Sequence, residues 1–152
     1  MSQALNTNVP AGGFFKDSGE YQPGVNRLFL SFVSGASGAV PTSNSDYLVT
    51  NGFDITNNPP VRNSTGNYTA TLDSGWAQYL GGGGSVRQTA GTYDAAKAFD
   101  VKIYDVDLDA KTVSFVTTRP DTGVVIDMAA GDILDICVRL GAYTEPTPAG
   151  AS

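Results

Sequence analysis

The feature that most limits what this chain can fold into is the regular alternation of apolar and polar residues from Phe99 to Leu140. Phe99, Val101 and Ile103 alternate with Asp100 and Lys102, and then Tyr104, Val106 and Leu108 alternate on the opposite parity. Successive side chains of a strand point to opposite faces, so the pattern buries one face of a sheet, and the change of parity predicts a bulge near Ile103-Tyr104. Asp109-Ala110-Lys111 reads as a turn into Thr112–Thr118, and Arg119-Pro120-Asp121-Thr122-Gly123 as a turn into Val124–Met128. Leu134, Ile136, Val138 and Leu140 then share one face of a last strand, which predicts a four-strand antiparallel meander.

Upstream, Leu28, Leu30 and Phe32 alternate with Arg27, Phe29 and Ser31, and Tyr68, Ala70 and Leu72 alternate with Thr69 and Thr71. Asp46–Ile55 is a weaker strand, broken by Asn51-Gly52, a dipeptide suited to a tight hairpin turn. Ser34–Ser45 reads as a long loop, and Asp73 and Ser74 as caps of a short helical turn carrying Trp76 and Tyr79. Gly81-Gly82-Gly83-Gly84-Ser85 has the composition of a flexible linker and is expected to form a mobile loop. About seven or eight strands with no ten-residue amphipathic helix give an all-β class, expected as an antiparallel β-sandwich or jelly roll. The expected organisation is an extended N-terminal arm over 1–25, a β-domain over 26–142 and a short C-terminal tail over 143–152.

Composition narrows the function. Charged residues are 16 % of the chain, against about 25 % in an average soluble domain, and Ser, Thr, Asn and Gly fill the surface positions instead. Such a surface meets other protein with little charge to desolvate. The formal charge is −6, and the nine Lys and Arg are dispersed, never two adjacent. Nucleic-acid binding works through clustered cations, so no nucleic-acid partner is expected. No run approaches the roughly 18 apolar residues of a membrane span, and Met1–Phe15 lacks the basic start and apolar run of a signal peptide.

The chain has no histidine, which removes Ser-His-Asp and Cys-His catalysis, and its one cysteine, Cys137, excludes an internal disulfide. Asp105, Asp107 and Asp109 begin like a calcium loop, but Ala110 stands where the sharp turn needs Gly and Val116 where a bidentate Glu is needed. A solvated strand face is the expectation for these carboxylates, with a cation site as the alternative; no cofactor is expected. Glycoside hydrolysis needs a pair of carboxylates, and the two glutamates, Glu20 and Glu145, fall in the flanking segments with nothing to mark an acid and a base. Trp76, Tyr79, Tyr93 and Tyr104 are weighed as a sugar-stacking platform against packing anchors, and packing is the expectation.

Gly66-Asn67-Tyr68-Thr69-Ala70-Thr71-Leu72 before the Trp76 segment, Phe99–Asp105, Lys111–Val116 and Gly131–Ile136 together resemble tailed-phage virion proteins of the head-decoration or cement type. The resemblance spans about half the chain and carries over no functional residue. It implies a non-enzymatic β-sandwich, commonly a homotrimer, made in the host cytoplasm and bound to the major capsid protein and to copies of itself on the outer capsid surface. Phe14 and Phe15 are then expected as arm anchors and Tyr21 as a further contact, with packing on their own domain as the alternative. A receptor- or carbohydrate-binding module of a tail fibre, touching its ligand through Trp76 or Tyr79, is the competing expectation, and a small glycan hydrolase a distant third.

Overall fold

The computed structural model describes residues 24–89 and 91–141. They form eight strands, β1 Val25–Val33, β2 Tyr47–Val49, β3 Val61–Ser64, β4 Asn67–Thr71, β5 Gln78–Arg87, β6 Asp100–Asp107, β7 Thr112–Thr118 and β8 Ile133–Gly141, with three single-turn 3-10 helices between them. The fold is all-β, and every strand pair is antiparallel. All eight strands join one sheet in the order β2-β1-β8-β5-β6-β7-β4-β3, where two separate sheets were expected.

That sheet curls strongly. Phe32 on β1 and Tyr68 on β4 have four strands between them in the sheet order, yet their ring centroids are 6.4 Å apart. In a flat sheet five strand spacings would separate them by roughly 24 Å. The bend falls at β5–β6, where only Gly84↔Val101 and Ser85↔Asp100 pair, while β5 pairs with β8 from Gln78 to Arg87. Inside the curl Leu28, Leu30 and Phe32 meet Tyr68, Phe115, Leu134, Ile136 and Val138, all buried. Tyr68 stacks on Phe115 at 5.3 Å, and each such side chain contributes roughly 1.5–3 kcal/mol by leaving water.

The glycine run is part of a strand and not the expected loop. A Cβ on Gly82 would fall 2.6 Å from the Cys137 carbonyl oxygen, and one on Gly84 2.6 Å from that of Asp135. Bare backbone at these two positions lets Val101 and Ile103 of β6 and Val138 of β8 close over β5, which is where the sheet bends.

Three other expectations change. Val124–Met128 is no strand: the segment makes a single bridge, Thr118↔Val125, and leaves Val124 and Val125 exposed, because it must carry the chain past β6 and β5 to β8. The meander therefore stops at β6–β7, and β8 lies between β1 and β5. No helical turn carries Trp76 and Tyr79, since pairing with β8 starts at Gln78. Asn51-Gly52 does turn the chain, with Gly52 at φ 87°, but Phe53 beyond it bridges Leu72 at the end of β4 instead of returning along β2. Asp54 N–H donates to the Thr71 carbonyl at 2.9 Å, so this bridge ties the two flanks of the curl together. The bulge falls where the parity predicts it, between Ile103 and Asp105.

Candidate partner-binding face

The alternation in β4 and β7 that buries Tyr68, Ala70, Val113 and Phe115 sends Asn67, Thr69, Thr71, Thr112, Ser114 and Val116 outward. Pairing sets them side by side as Asn67↔Val116, Thr69↔Ser114 and Thr71↔Thr112, and β3 adds Val61 opposite Thr69. None of these side chains is charged.

Several of their polar groups bond one another. Asn63 Nδ2 donates to Thr69 Oγ1 at 2.8 Å, Thr69 and Ser114 share a hydroxyl hydrogen bond at 3.1 Å, and the Tyr104 hydroxyl donates to Asn67 Oδ1 at 3.0 Å. Tyr104 is the residue bulged out of β6, so it reaches past β7 to Asn67 on β4 and stays 55 % exposed. Val61, 53 % exposed, marks the opposite border. Covering such a face removes little charge from water and strands few polar groups.

On β6 the face meets a charged border of Lys102, Asp105 and Asp107. Asp105 and Asp107 are exposed, while Val106 and Leu108 pack against the core. The Asp107 carboxylate accepts from the backbone N–H of Asp109 and of Ala110, both at 3.0 Å, and so shapes the β6–β7 turn. Among the described residues no three His, Cys, Asp or Glu side chains gather as an ion site.

A second outward face lies across β1, β8 and β5. Phe29 pairs with Cys137, and Cys137 with Gly83, around a shallow groove of about 390 Å³. At one end Asp135 accepts from Arg87 Nε at 2.6 Å and from the Ser31 hydroxyl. Burial pushes the Asp135 pKa up, but these hydrogen bonds outweigh it and hold the carboxyl below its usual range. At the other end Arg139 stands opposite Arg27.

Phe14, Phe15 and Tyr21, expected as arm anchors, lie outside the described residues, as do Glu20 and Glu145. The structure does not bring the four aromatic candidates together. Trp76 packs against the core with its Nε1 buried and unbonded, Tyr79 pairs with Leu140, Tyr93 stands in the β5–β6 connection, and Tyr104 lies on the neutral face. Ring pairs among the described residues link only Phe32, Tyr47, Tyr68 and Phe115. Sequence reading missed the neutral face, although its signal was there: Thr69 and Thr71 alternate with Tyr68 and Ala70, as Thr112 and Ser114 do with Val113 and Phe115.

Compared with known proteins, the chain matches no family model, no curated protein and no solved structure.

Proposed function

We propose that this protein is a non-enzymatic virion structural subunit, a decoration or cement protein that binds the outer face of a phage head. The observation that carries the reading is the neutral β3-β4-β7 face, on which Asn63, Asn67, Thr69, Tyr104 and Ser114 hydrogen-bond among themselves before any partner arrives. A surface of that kind suits a large, flat, permanent contact with protein. On this reading the two flanks of the curled sheet serve as the layers of a sandwich, the partners are the major capsid protein and copies of this chain, and the unit is a homotrimer.

The mechanism is linkage. A subunit that binds the assembled shell and not its free components stabilises the shell by mass action, and an N-terminal arm carrying Phe14, Phe15 and Tyr21 raises the effective concentration of each contact. Co-sedimentation with intact phage heads tests this, with saturable binding expected and no binding opposing it.

One observation favours the competing reading of a carbohydrate- or receptor-binding module. The exposed Tyr104 ring stands beside the Asn67 amide, an apolar plate next to a polar group, as sugar recognition requires. Retention on a glycan array, lost in Tyr104→Phe or Tyr104→Ala, would decide for that module.

A further inference from the structure

The connection between β5 and β6 runs over residues 88–99, well beyond the roughly 4–6 residues of most connections, and two clefts open beside it. One, of about 480 Å³, reaches Arg87, Ala98 and Phe99; the other, of about 490 Å³, reaches Asp94, Lys97 and Asp132. Gln88, Thr92 and Tyr93 line both and so form a common wall. In that wall the Tyr93 ring is 73 % exposed, more than any other large apolar side chain among the described residues.

The wall is braced from within. Gln88 Nε2 donates to the Asp94 carbonyl and Gln88 Oε1 accepts the Asp94 N–H, both at 2.8 Å, and the Thr89 hydroxyl donates to the Gly131 carbonyl at 3.0 Å. A loop held this way keeps its shape before a ligand arrives, which lowers the entropy lost on binding. A ring left in water contributes little to folding, so a braced loop that displays one points to recognition.

We infer that the two clefts are adjoining subsites for a neutral oligosaccharide, with Tyr93 as the plate on which a sugar ring stacks. The inference rests on the clefts alone and stands independently of shell binding and of the Tyr104 ring.

Charge and hydrogen-bonding capacity select this class. Arg87 pairs with Asp135 at 2.6 Å and Lys97 stands 3.9 Å from Asp94, so each cation lining the clefts already has an acid beside it, and no cluster of cations is left for an acidic ligand. The carboxylates of Asp94 and Asp132 are each anchored by one backbone N–H, that of Ala96 at 2.9 Å and that of Ala129 at 3.1 Å. A carboxylate has about four acceptor sites, so both keep lone pairs for hydroxyl donors, while Lys97 and Thr92 supply donors. Acceptors and donors beside an exposed ring match an uncharged sugar, which has an apolar C–H face and an edge of hydroxyls. Each cleft also falls within the roughly 300–1,000 Å³ of small-ligand sites.

The test follows the backbone amide resonances of the isotope-labelled full chain as neutral malto-, cello- and galacto-oligosaccharides are added, with sialyllactose as the acidic control. Saturable shifts at Gln88, Thr92, Tyr93 and Asp132 are expected with at least one neutral series, and affinity should rise several-fold from monosaccharide to trisaccharide, as adjoining subsites require. Tyr93→Ala alters an exposed ring, so the thermal midpoint is retained while binding weakens roughly tenfold or more; Tyr104→Ala leaves binding unchanged. Absence of shifts with every neutral series would overturn the inference, as would binding of sialyllactose alone. Equal affinity for monosaccharide and trisaccharide would overturn the adjoining subsites, and binding kept in Tyr93→Ala but lost in Tyr104→Ala would overturn the site.

Discussion

Asp127 accepts two hydrogen bonds from Arg62, from Nε at 2.9 Å and from Nη2 at 2.6 Å, across 65 residues of sequence. The same carboxylate accepts the Gly66 N–H at 2.7 Å, so it fastens the β7–β8 connection to the β3–β4 hairpin. Beside it the Tyr68 hydroxyl donates to the Gly38 carbonyl at 2.8 Å, which adds the loop after β1. Three connections with little regular pairing of their own are held at one polar node.

Asp127→Ala removes three hydrogen bonds at once and leaves the Gly66 N–H without its acceptor. The ion pair is partly solvated, which limits its worth, so the expected loss is about 1–3 kcal/mol. Chemical denaturation checks this: the midpoint should fall with an unchanged slope, and no fall would mean the node is not structural.

Stability should fall at both ends of the pH scale. The Arg62 hydrogen bonds hold the Asp127 pKa below the usual carboxylate range, and Asp135 is lowered too. Groups whose pKa is depressed by folding stabilise the native state above their unfolded value and lose that contribution as pH falls, here below about pH 4–5. Burial, aided by the Asp127 charge, pushes the Tyr68 hydroxyl up to about 12. A raised pKa has the opposite sign: the contribution is intact below about pH 10 and lost as pH rises towards the native value. Thermal midpoints should form a plateau around neutrality, with Asp127→Asn shrinking the acid arm and Tyr68→Phe the alkaline arm.

The glycines of β5 should separate into two kinds. Gly82→Ala and Gly84→Ala each drive a methyl group into a carbonyl oxygen of β8 and are expected to cost about 1–3 kcal/mol. Gly83→Ala meets open space and should be neutral, or stabilise by about 0.4–1 kcal/mol through the unfolded chain. Three thermal melts check this, and equal losses at all three sites would refute the close approach of β8 and β6 as the cause.

The neutral face can be altered without touching the core. Val61→Lys places a charge on an exposed edge position and Tyr104→Ala deletes the exposed ring, and each should leave stability within about 0.5 kcal/mol apart from the hydrogen bond to Asn67. Shell binding should weaken roughly tenfold or more in both. Wild-type binding in both variants would move the contact elsewhere on the molecule.

Alternation made β1, β4, β6, β7 and β8 legible, and the change of parity located the bulge at Tyr104, because burial of one face writes itself directly into the residue order. β5 was illegible because glycine has no side chain to alternate; its strand conformation is imposed by β8 on one side and β6 on the other. Val124–Met128 alternates without pairing, since its path is set by the distance between β7 and β8 in the sheet. The order of strands and the Arg62–Asp127 pair are tertiary facts that no local pattern records. Of the candidate face, the outward Thr, Ser and Asn positions could be read from parity; the hydrogen bond that lays Tyr104 over them could not.

The most direct test of the proposed role is the temperature at which tailed-phage heads release their DNA, measured without the protein and with increasing amounts of it. The account predicts a saturable rise in release temperature, following occupancy of the shell and diminished by Val61→Lys and Tyr104→Ala. An unchanged release temperature at saturating protein would contradict it.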